Sequence, residues 1–171
     1  QLSVIELPYH SEGGFTKHIT RQDVLHNFPR QNRLVVIEMT GAEIRAALEL
    51  SARVFAVNAQ GEIDFSMNVF YPQPQPYIYD VWGGIDYEIC LQNPYGQRIV
   101  TFLYEGKEIQ EDQLFSVVIN SYRATGAHGF SMFKKAPLYE SQRFVPELMM
   151  AYIQENSPLT TKTKHHFLLR K

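Results

Sequence analysis

A chain of 171 residues and 19.8 kDa has room for one domain or two very small ones, and a single domain of this size buries about 70% of its unfolded surface without needing staples. With 44% hydrophobic and 20% charged residues the composition is that of a soluble globular chain, not a disordered one. Sixteen Lys+Arg against eighteen Asp+Glu leave a formal charge of −2, which argues against a nucleic-acid polymer or an anionic membrane as the main partner, and the single Cys90 rules out an intrachain disulfide framework or a cysteine-rich zinc site.

Leu2–Tyr9 alternates loosely and ends at Pro8, which predicts a short strand, and His10–Phe15 is a glycine-containing loop. Thr20 with Asp23 three residues on forms a capping-box pattern; Val24, Leu25 and Phe28 support one or two helical turns before Pro29 ends them. The apolar run within Arg33–Met39 reads as a buried strand. A second capping box, Thr40-Gly41-Ala42-Glu43, opens the clearest helix. Ile44, Ala47, Leu48, Ser51 and Phe55 recur on one face, while Glu43, Arg45 and Glu49 are expected to face elsewhere.

Asn58–Pro76 is expected to be a long excursion with at most short strands. Tyr77–Leu91 reads as strand, Gly83-Gly84 break, strand; Gln97–Tyr104 as a strand followed by a turn at Glu105-Gly106-Lys107; and Leu114–Ile119 as a buried strand running into the glycine-bearing segment Asn120–Phe133. Val145–Gln154 has the helical period, with Val145, Leu148, Met149, Tyr152 and Ile153 on one face and Pro146 near its start, and His166–Arg170 closes the chain as a strand. Strands and helices intersperse without regular βαβ spacing, which predicts one α+β domain over residues 1–171, a mixed β-sheet flanked by helices. The chain opens on Gln1 rather than methionine, so it is expected to be a piece of a longer protein.

Catalytic templates are absent: there is no phosphate-binding G-x-x-x-x-G-K-[ST] loop, no G-x-S-x-G elbow and no H-x-x-x-H pair. His165 and His166 are neighbours, point to opposite faces of a strand, and read as a solvated end; His10, His18, His26 and His128 are scattered; Cys90 reads as a packed thiol. Two loops carry the chemistry instead. Asn27-Phe28-Pro29-Arg30-Gln31-Asn32-Arg33 offers a ring, two guanidinium groups and amides in seven residues; amides can read the edge of a base and a guanidinium can stack on its face. In Asn120–Phe130 a buried strand delivers Tyr122 at its end, and Gly126 and Gly129 let the backbone approach a ligand closely. Either loop is equally compatible with a polar connector or a glycine turn, and neither names a ligand by itself.

Several segments, in order and spacing, resemble the C-terminal domain of the bacterial 5′-nucleotidase family: Ile19-Thr20 through Asp23-Val24, Pro29-Arg30-Gln31-Asn32, Thr40-Gly41 and Leu48-Glu49; then Tyr79-Asp80-Val81-Trp82-Gly83-Gly84-Ile85-Asp86-Tyr87; then Asn120-Ser121-Tyr122-Arg123-Ala124-Thr125-Gly126. The last two look most like the 2′,3′-cyclic-nucleotide 2′-phosphodiesterase/3′-nucleotidase branch. The resemblance implies a domain that supplies the nucleoside pocket of an exported, extracytoplasmic enzyme, while a separate N-terminal metallophosphoesterase domain, absent here with its Asp-x-His and Gly-Asn-His-Asp/Glu signatures, holds two divalent metal ions and performs the hydrolysis. Catalytic and metal-ligating residues are therefore expected to be none in this chain, and its partners to be a nucleotide or nucleoside and that N-terminal domain.

Carried over position by position, Tyr122 matches one of the family's two base-stacking rings. The position of the other falls on Arg30, which departs from the pattern by not being aromatic; its planar guanidinium would stack, or Phe28 would move in. Asn32 matches the asparagine that hydrogen-bonds the base, Gly126 lies in the loop that approaches the nucleoside, and His128 falls where related 5′-nucleotidases carry an aspartate. A different reading takes the chain as a non-enzymatic aromatic module for glycans or a surface partner, with Trp82, Tyr77 and Tyr79 as its platform; a third makes it a small autonomous hydrolase using His128 with a carboxylate.

Overall fold

The two continuous apolar runs of the chain become the middle of a five-stranded sheet. The computed structural model describes residues 1–6, 14–66, 78–160 and 166–171. The first run is β2 (Arg33–Thr40) and the second is β9 (Leu114–Asn120). They pair antiparallel over seven positions, from Leu34 opposite Asn120 to Thr40 opposite Leu114. Val35, Ile37, Met39, Phe115, Val117 and Ile119 are buried, the inward set that a period of two requires. β1 (Leu2–Glu6) lies parallel to β9 and antiparallel to β5 (Asp80–Gly83), and β10 (Tyr139–Phe144) closes the other edge against β2, giving the order β10-β2-β9-β1-β5.

A second mixed sheet has the order β11-β6-β7-β8, built from β6 (Asp86–Cys90), β7 (Ile99–Tyr104), the two-residue β8 (Lys107–Glu108) and β11 (Phe167–Arg170), which runs parallel to β6. β3 (Phe55–Val57) and β4 (Ile63–Phe65) form a small antiparallel hairpin. The fold class is the expected α+β. The Gly83-Gly84 break does more than interrupt one strand: β5 belongs to the first sheet and β6 to the second. Gly84, at φ +94°, carries the chain between them against Leu2, where a side chain would be both strained and crowded.

Helix α1 (Arg21–Asn27) begins with the anticipated box: Asp23 N–H donates to Thr20 Oγ1 at 3.2 Å and Thr20 N–H to Asp23 Oδ2 at 2.7 Å. Helix α2 (Gly41–Ser51) repeats it with Thr40 and Glu43, and buries Ile44, Ala47, Leu48 and Ser51 against β2 and β7 of the two sheets. Glu49 departs from expectation, because it is buried rather than turned outward. Its carboxylate accepts the backbone N–H groups of Arg98 at 3.0 Å and Ile99 at 2.7 Å. A buried acceptor is stable when it meets donors that would otherwise be orphaned where the chain enters β7. The guanidinium of Arg98 in turn donates to the carbonyls of Ala52 and Phe55 and lies over the Tyr95 ring.

Strand β10 is a feature that periodicity does not reveal. Its sequence, Tyr-Glu-Ser-Gln-Arg-Phe, buries only Ser141, whose hydroxyl accepts from Leu34 N–H at 3.0 Å and donates to the Arg143 carbonyl at 2.7 Å. It is a polar edge strand held through its backbone, with a register shift between Glu140 and Phe144. Helix α3 (Val145–Glu155) follows at once and packs against α1; Leu148, Met149 and Ile153 are half-buried, while Tyr152 stays exposed. His166 is also better housed than a solvated end, with Nδ1 3.3 Å from Asp86 Oδ1. Of the long excursion before β5, residues 67–77 lie outside the described residues, as do residues 7–13 and 161–165.

The start of α2 yields two predictions. The Gly41 and Ala42 N–H groups donate to the carbonyls of Gln113 and Glu111, and a Cβ on Gly41 would overlap the Gln110 carbonyl. Gly41→Ala is expected to lower stability by about 1–3 kcal/mol in urea unfolding, through overpacking against backbone that cannot yield. At Glu43, burial opposes ionisation, but the Lys135 ammonium 2.6 Å away and the Thr40 donors outweigh it and hold the carboxyl below its usual range. A folded-state pKa below the unfolded one gives stability that is present above about pH 4.3 and is lost as pH falls through the folded value. The difference in melting temperature between the native chain and Glu43→Gln should therefore be largest near pH 7 and shrink below pH ~4.

Candidate functional site

The antiparallel pairing of β2 with β9 decides where the two chemistry-bearing loops go. With Leu34 opposite Asn120, the loop entering β2 and the loop leaving β9 emerge side by side at one end of the sheet, although Arg33 and Ser121 are 88 residues apart. Backbone and side chain lock the junction. Ser121 N–H donates to the Arg33 carbonyl at 2.8 Å, Arg33 N–H donates to Ser121 Oγ at 3.0 Å, and Ser121 Oγ donates to Asn32 Oδ1 at 3.4 Å. The Asn32 carbonyl accepts the N–H of Val145 at 2.8 Å, so the first turn of α3 supports the same corner.

Tyr122 stands at the centre of this junction, half-buried. The guanidinium carbon of Arg30 lies 5.7 Å from the centre of its ring, a cation–π arrangement. Of the two alternatives for the second stacking position, Arg30 is the one placed over the tyrosine. Phe28 turns instead toward Phe15, with ring centres 6.4 Å apart. A flat ligand between Arg30 and Tyr122 would need two contact distances of about 3.5 Å each. The exposed Arg30 side chain must therefore swing outward by about an ångström or more to admit one.

The other side of Tyr122 is also held. Its hydroxyl is 2.7 Å from His128 Nε2. His128 sits in the left-handed region at φ +57°, unusual for a residue with a side chain. Gly126, at φ +76°, makes the turn that brings the histidine back; a Cβ there would press on Ser131 Cα at 3.3 Å. The Tyr122 carbonyl accepts from Thr125 Oγ1 at 2.7 Å and from Thr125 N–H at 3.1 Å. All five expected residues, Arg30, Asn32, Tyr122, Gly126 and His128, thus lie around one junction. His128 is engaged with the tyrosine hydroxyl through Nε2.

Directly behind Tyr122 is a feature the sequence reading passed over. The Arg123 guanidinium donates to Asp80 Oδ1 at 2.7 Å, and the two side chains are 1% and 0% exposed. The same guanidinium lies 4.3 Å from the centre of the Phe130 ring. Asp80 is a lone charge within the otherwise apolar run Ile78–Trp82, whereas Arg123 sits among polar and small neighbours and nothing local marks it.

The aromatic-platform reading is corrected at two of its three residues. Trp82 is wholly buried and stacked on Phe133, with ring centres 6.1 Å apart, and Tyr79 is buried edge-on against Phe55. Burial pushes the phenols of Tyr79 and Tyr87 up, away from ionisation. Trp82 alternates inward within β5 and Tyr79, one residue before that strand, packs against Phe55, so both belong to the core and present no flat surface. Tyr77, the third, lies outside the described residues. A depression of about 510 Å³ by the start of α2, bordered by Gly41, Arg45 and Phe102, includes none of the junction residues. Among the described residues no group of three or more His, Cys, Asp or Glu is placed to hold a metal ion, and no helix is long and apolar enough to cross a membrane.

Comparison with known proteins gives the arrangement its context. The profile of the 5′-nucleotidase C-terminal domain matches residues 7–135. The chain is 28% identical over 151 residues to the trifunctional nucleotide phosphoesterase YfkN of Bacillus subtilis, covering 80% of this chain and 10% of that protein. It is 27% identical over 139 residues to the 2′,3′-cyclic-nucleotide 2′-phosphodiesterase/3′-nucleotidase of Haemophilus influenzae, covering 74% and 21%. A Staphylococcus aureus crystal structure assigned as a 5′-nucleotidase, in complex with α-ketoglutarate, superposes with a TM-score of 0.92 at 27% identity over 99% of this chain and 33% of that one. The chain thus spans 10% and 21% of these curated relatives and a third of the structural one. With its α+β fold and the match across most of its length, this chain belongs to the 5′-nucleotidase family, as the C-terminal domain.

Proposed function

We propose that the domain binds the nucleoside part of a nucleotide at the Arg30–Tyr122 junction and presents the phosphate to a metal site on another part of the same protein. The observation that carries this is the convergence of a guanidinium, a phenol ring and an amide at one sheet end: Arg30 over Tyr122, with Asn32 tied to the adjoining Ser121. The faces of Tyr122 and Arg30 would clamp the base, which is tolerant of base identity because every base has a π face. The Asn32 side chain, able both to donate and to accept, would read the base edge. The backbone around Gly126 would approach the sugar closely. His128 would act by holding the ring of Tyr122 through its hydroxyl.

Two divalent ions on an N-terminal metallophosphoesterase domain would supply the activated water. The contribution of this chain is to bind a remote, non-reacting group and so orient the phosphorus. On this reading the 171-residue chain alone hydrolyses no nucleotide, and the parent enzyme is a nucleotide phosphoesterase working outside the cytoplasm.

The reading is tested by titrating the chain with adenosine, uridine and a simple sugar while following backbone amide shifts. Nucleoside-dependent shifts at 28–33 and 120–130 are expected. Shifts confined to residues 78–87 with sugar, and none at the two loops with nucleoside, would sink it. Tyr122→Ala should cost about 1–3 kcal/mol of nucleoside binding, roughly 5- to 150-fold in Kd; in the full-length enzyme it should raise KM while leaving metal content unchanged. Gly126→Ala should lower stability by about 1–2 kcal/mol, from the left-handed backbone it would have to adopt, and should weaken the same binding in isothermal titration.

A further inference from the structure

We propose that the buried pair Arg123–Asp80 is the positioning device of the Tyr122 platform: it fixes the direction in which the ring faces rather than serving only to fill the core. This deepens the nucleoside reading above and rests on it for its functional consequence. The argument begins with what the loop lacks. From Asn120 to Gly129 the side chains are small, polar or exposed, and Arg123 is the one fully buried residue in that stretch. Apolar docking of the loop comes from Ala124 and, beyond Gly129, from the buried Phe130. Next to Tyr122, however, the one fully buried side chain is charged: Arg123, its immediate chain neighbour.

An apolar anchor would grip by contact, which has no preferred direction. This one grips by geometry. The planar guanidinium has the Asp80 carboxylate at its edge, 2.7 Å away, and the Phe130 ring against its face, 4.3 Å from the centre. One contact fixes the in-plane direction and the other the plane. The backbone completes the constraint: Arg123 N–H donates to Asn120 Oδ1 at 2.7 Å, and its carbonyl accepts from Gly126 N–H at 3.0 Å. Asp80 lies on β5, two strands across from β9 with β1 between them, so the pair ties the loop to the far side of the sheet. Replacing a buried ion pair with apolar side chains of similar bulk is often neutral for stability. What such a replacement removes here is direction.

That distinction supplies the test. The double substitution Asp80→Val/Arg123→Met removes both charges, and Asp80→Asn keeps the shape of the site while weakening its charge-assisted bond. Each is compared with the native chain by thermal unfolding, by aromatic NMR of the Tyr122 ring and the His128 Nε2 resonance, and by titration with adenosine and uridine. The double variant is expected to fold, to lose the distinct Tyr122–His128 signature through averaging of the ring, and to bind nucleoside at least tenfold more weakly. Asp80→Asn should show the same changes to a smaller degree. Should the double variant fail to fold, Asp80→Asn carries the decision. A folded variant with native Tyr122 and His128 resonances would overturn the proposal, as would native nucleoside affinity. If the native chain binds no nucleoside, the functional reading fails, while the ring resonances still decide whether the pair orients Tyr122.

Discussion

Everything at the candidate site hangs on the β2–β9 ladder. Its register, Leu34 opposite Asn120, turns two loops 88 residues apart in sequence into neighbours. A slip of one residue would reverse the faces of one strand against the other, taking Val35 and Ile37, or Val117 and Ile119, out of the core. Because the cost of exposing that apolar set is large, the register is firmly specified, and with it the distance between Arg30 and Tyr122. Packing energy deep in the sheet thus sets the geometry of a polar surface at its end. The Arg33–Ser121 hydrogen bonds are the first rung beyond the ladder and carry this order into the loops.

Interior charge is used repeatedly at the joints between elements. Glu49 meets the N–H groups at the start of β7, Arg98 meets the carbonyls at the end of α2, and Asp80 meets Arg123 across β1. Each places a directional contact where a segment changes course and ladder hydrogen bonds are missing. Apolar packing determines which elements assemble, whereas these contacts determine the angle at which one follows another. The corner at Tyr122 is the most developed case, with support from Arg123 behind, His128 at the hydroxyl and Thr125 at the carbonyl.

Both capping boxes, the α2 face, the two central strands and the Gly83-Gly84 break were legible because each depends on local pattern: a cap on residues three apart, a helix on its 3.6-residue period, a buried strand on an apolar run. The two loops stood out by residue type, but placing them together came only through resemblance, since no spacing within the chain joins Arg30 to Tyr122. What escaped has a common cause. Glu49 looks like a solvated helix charge until the partner strand supplies two N–H donors. Strand β10 has no apolar period because its ladder is made by backbone. The Arg123–Asp80 pair links positions 43 apart with no local signature. Trp82 and Tyr79 were open to a surface reading because an aromatic near glycine suits either a core or a platform, and only their tertiary partners, Phe133 and Phe55, decide which.

On the proposed reading, the polar groups near Tyr122 serve binding, and several of them already have partners within the fold. General-base work needs a side chain free to take a proton from the substrate. Around the junction His128 Nε2 faces the tyrosine hydroxyl and Asp80 faces Arg123. On the proposed reading the groups left to meet a ligand are the Arg30 plane, the face of Tyr122 that Arg30 now covers, and the Asn32 amide. Such groups recognise a flat heterocycle without reacting with it. On the proposed reading the rate advantage comes from holding the remote end of the substrate still, and a ring fixed on several sides loses less freedom when a ligand stacks on it.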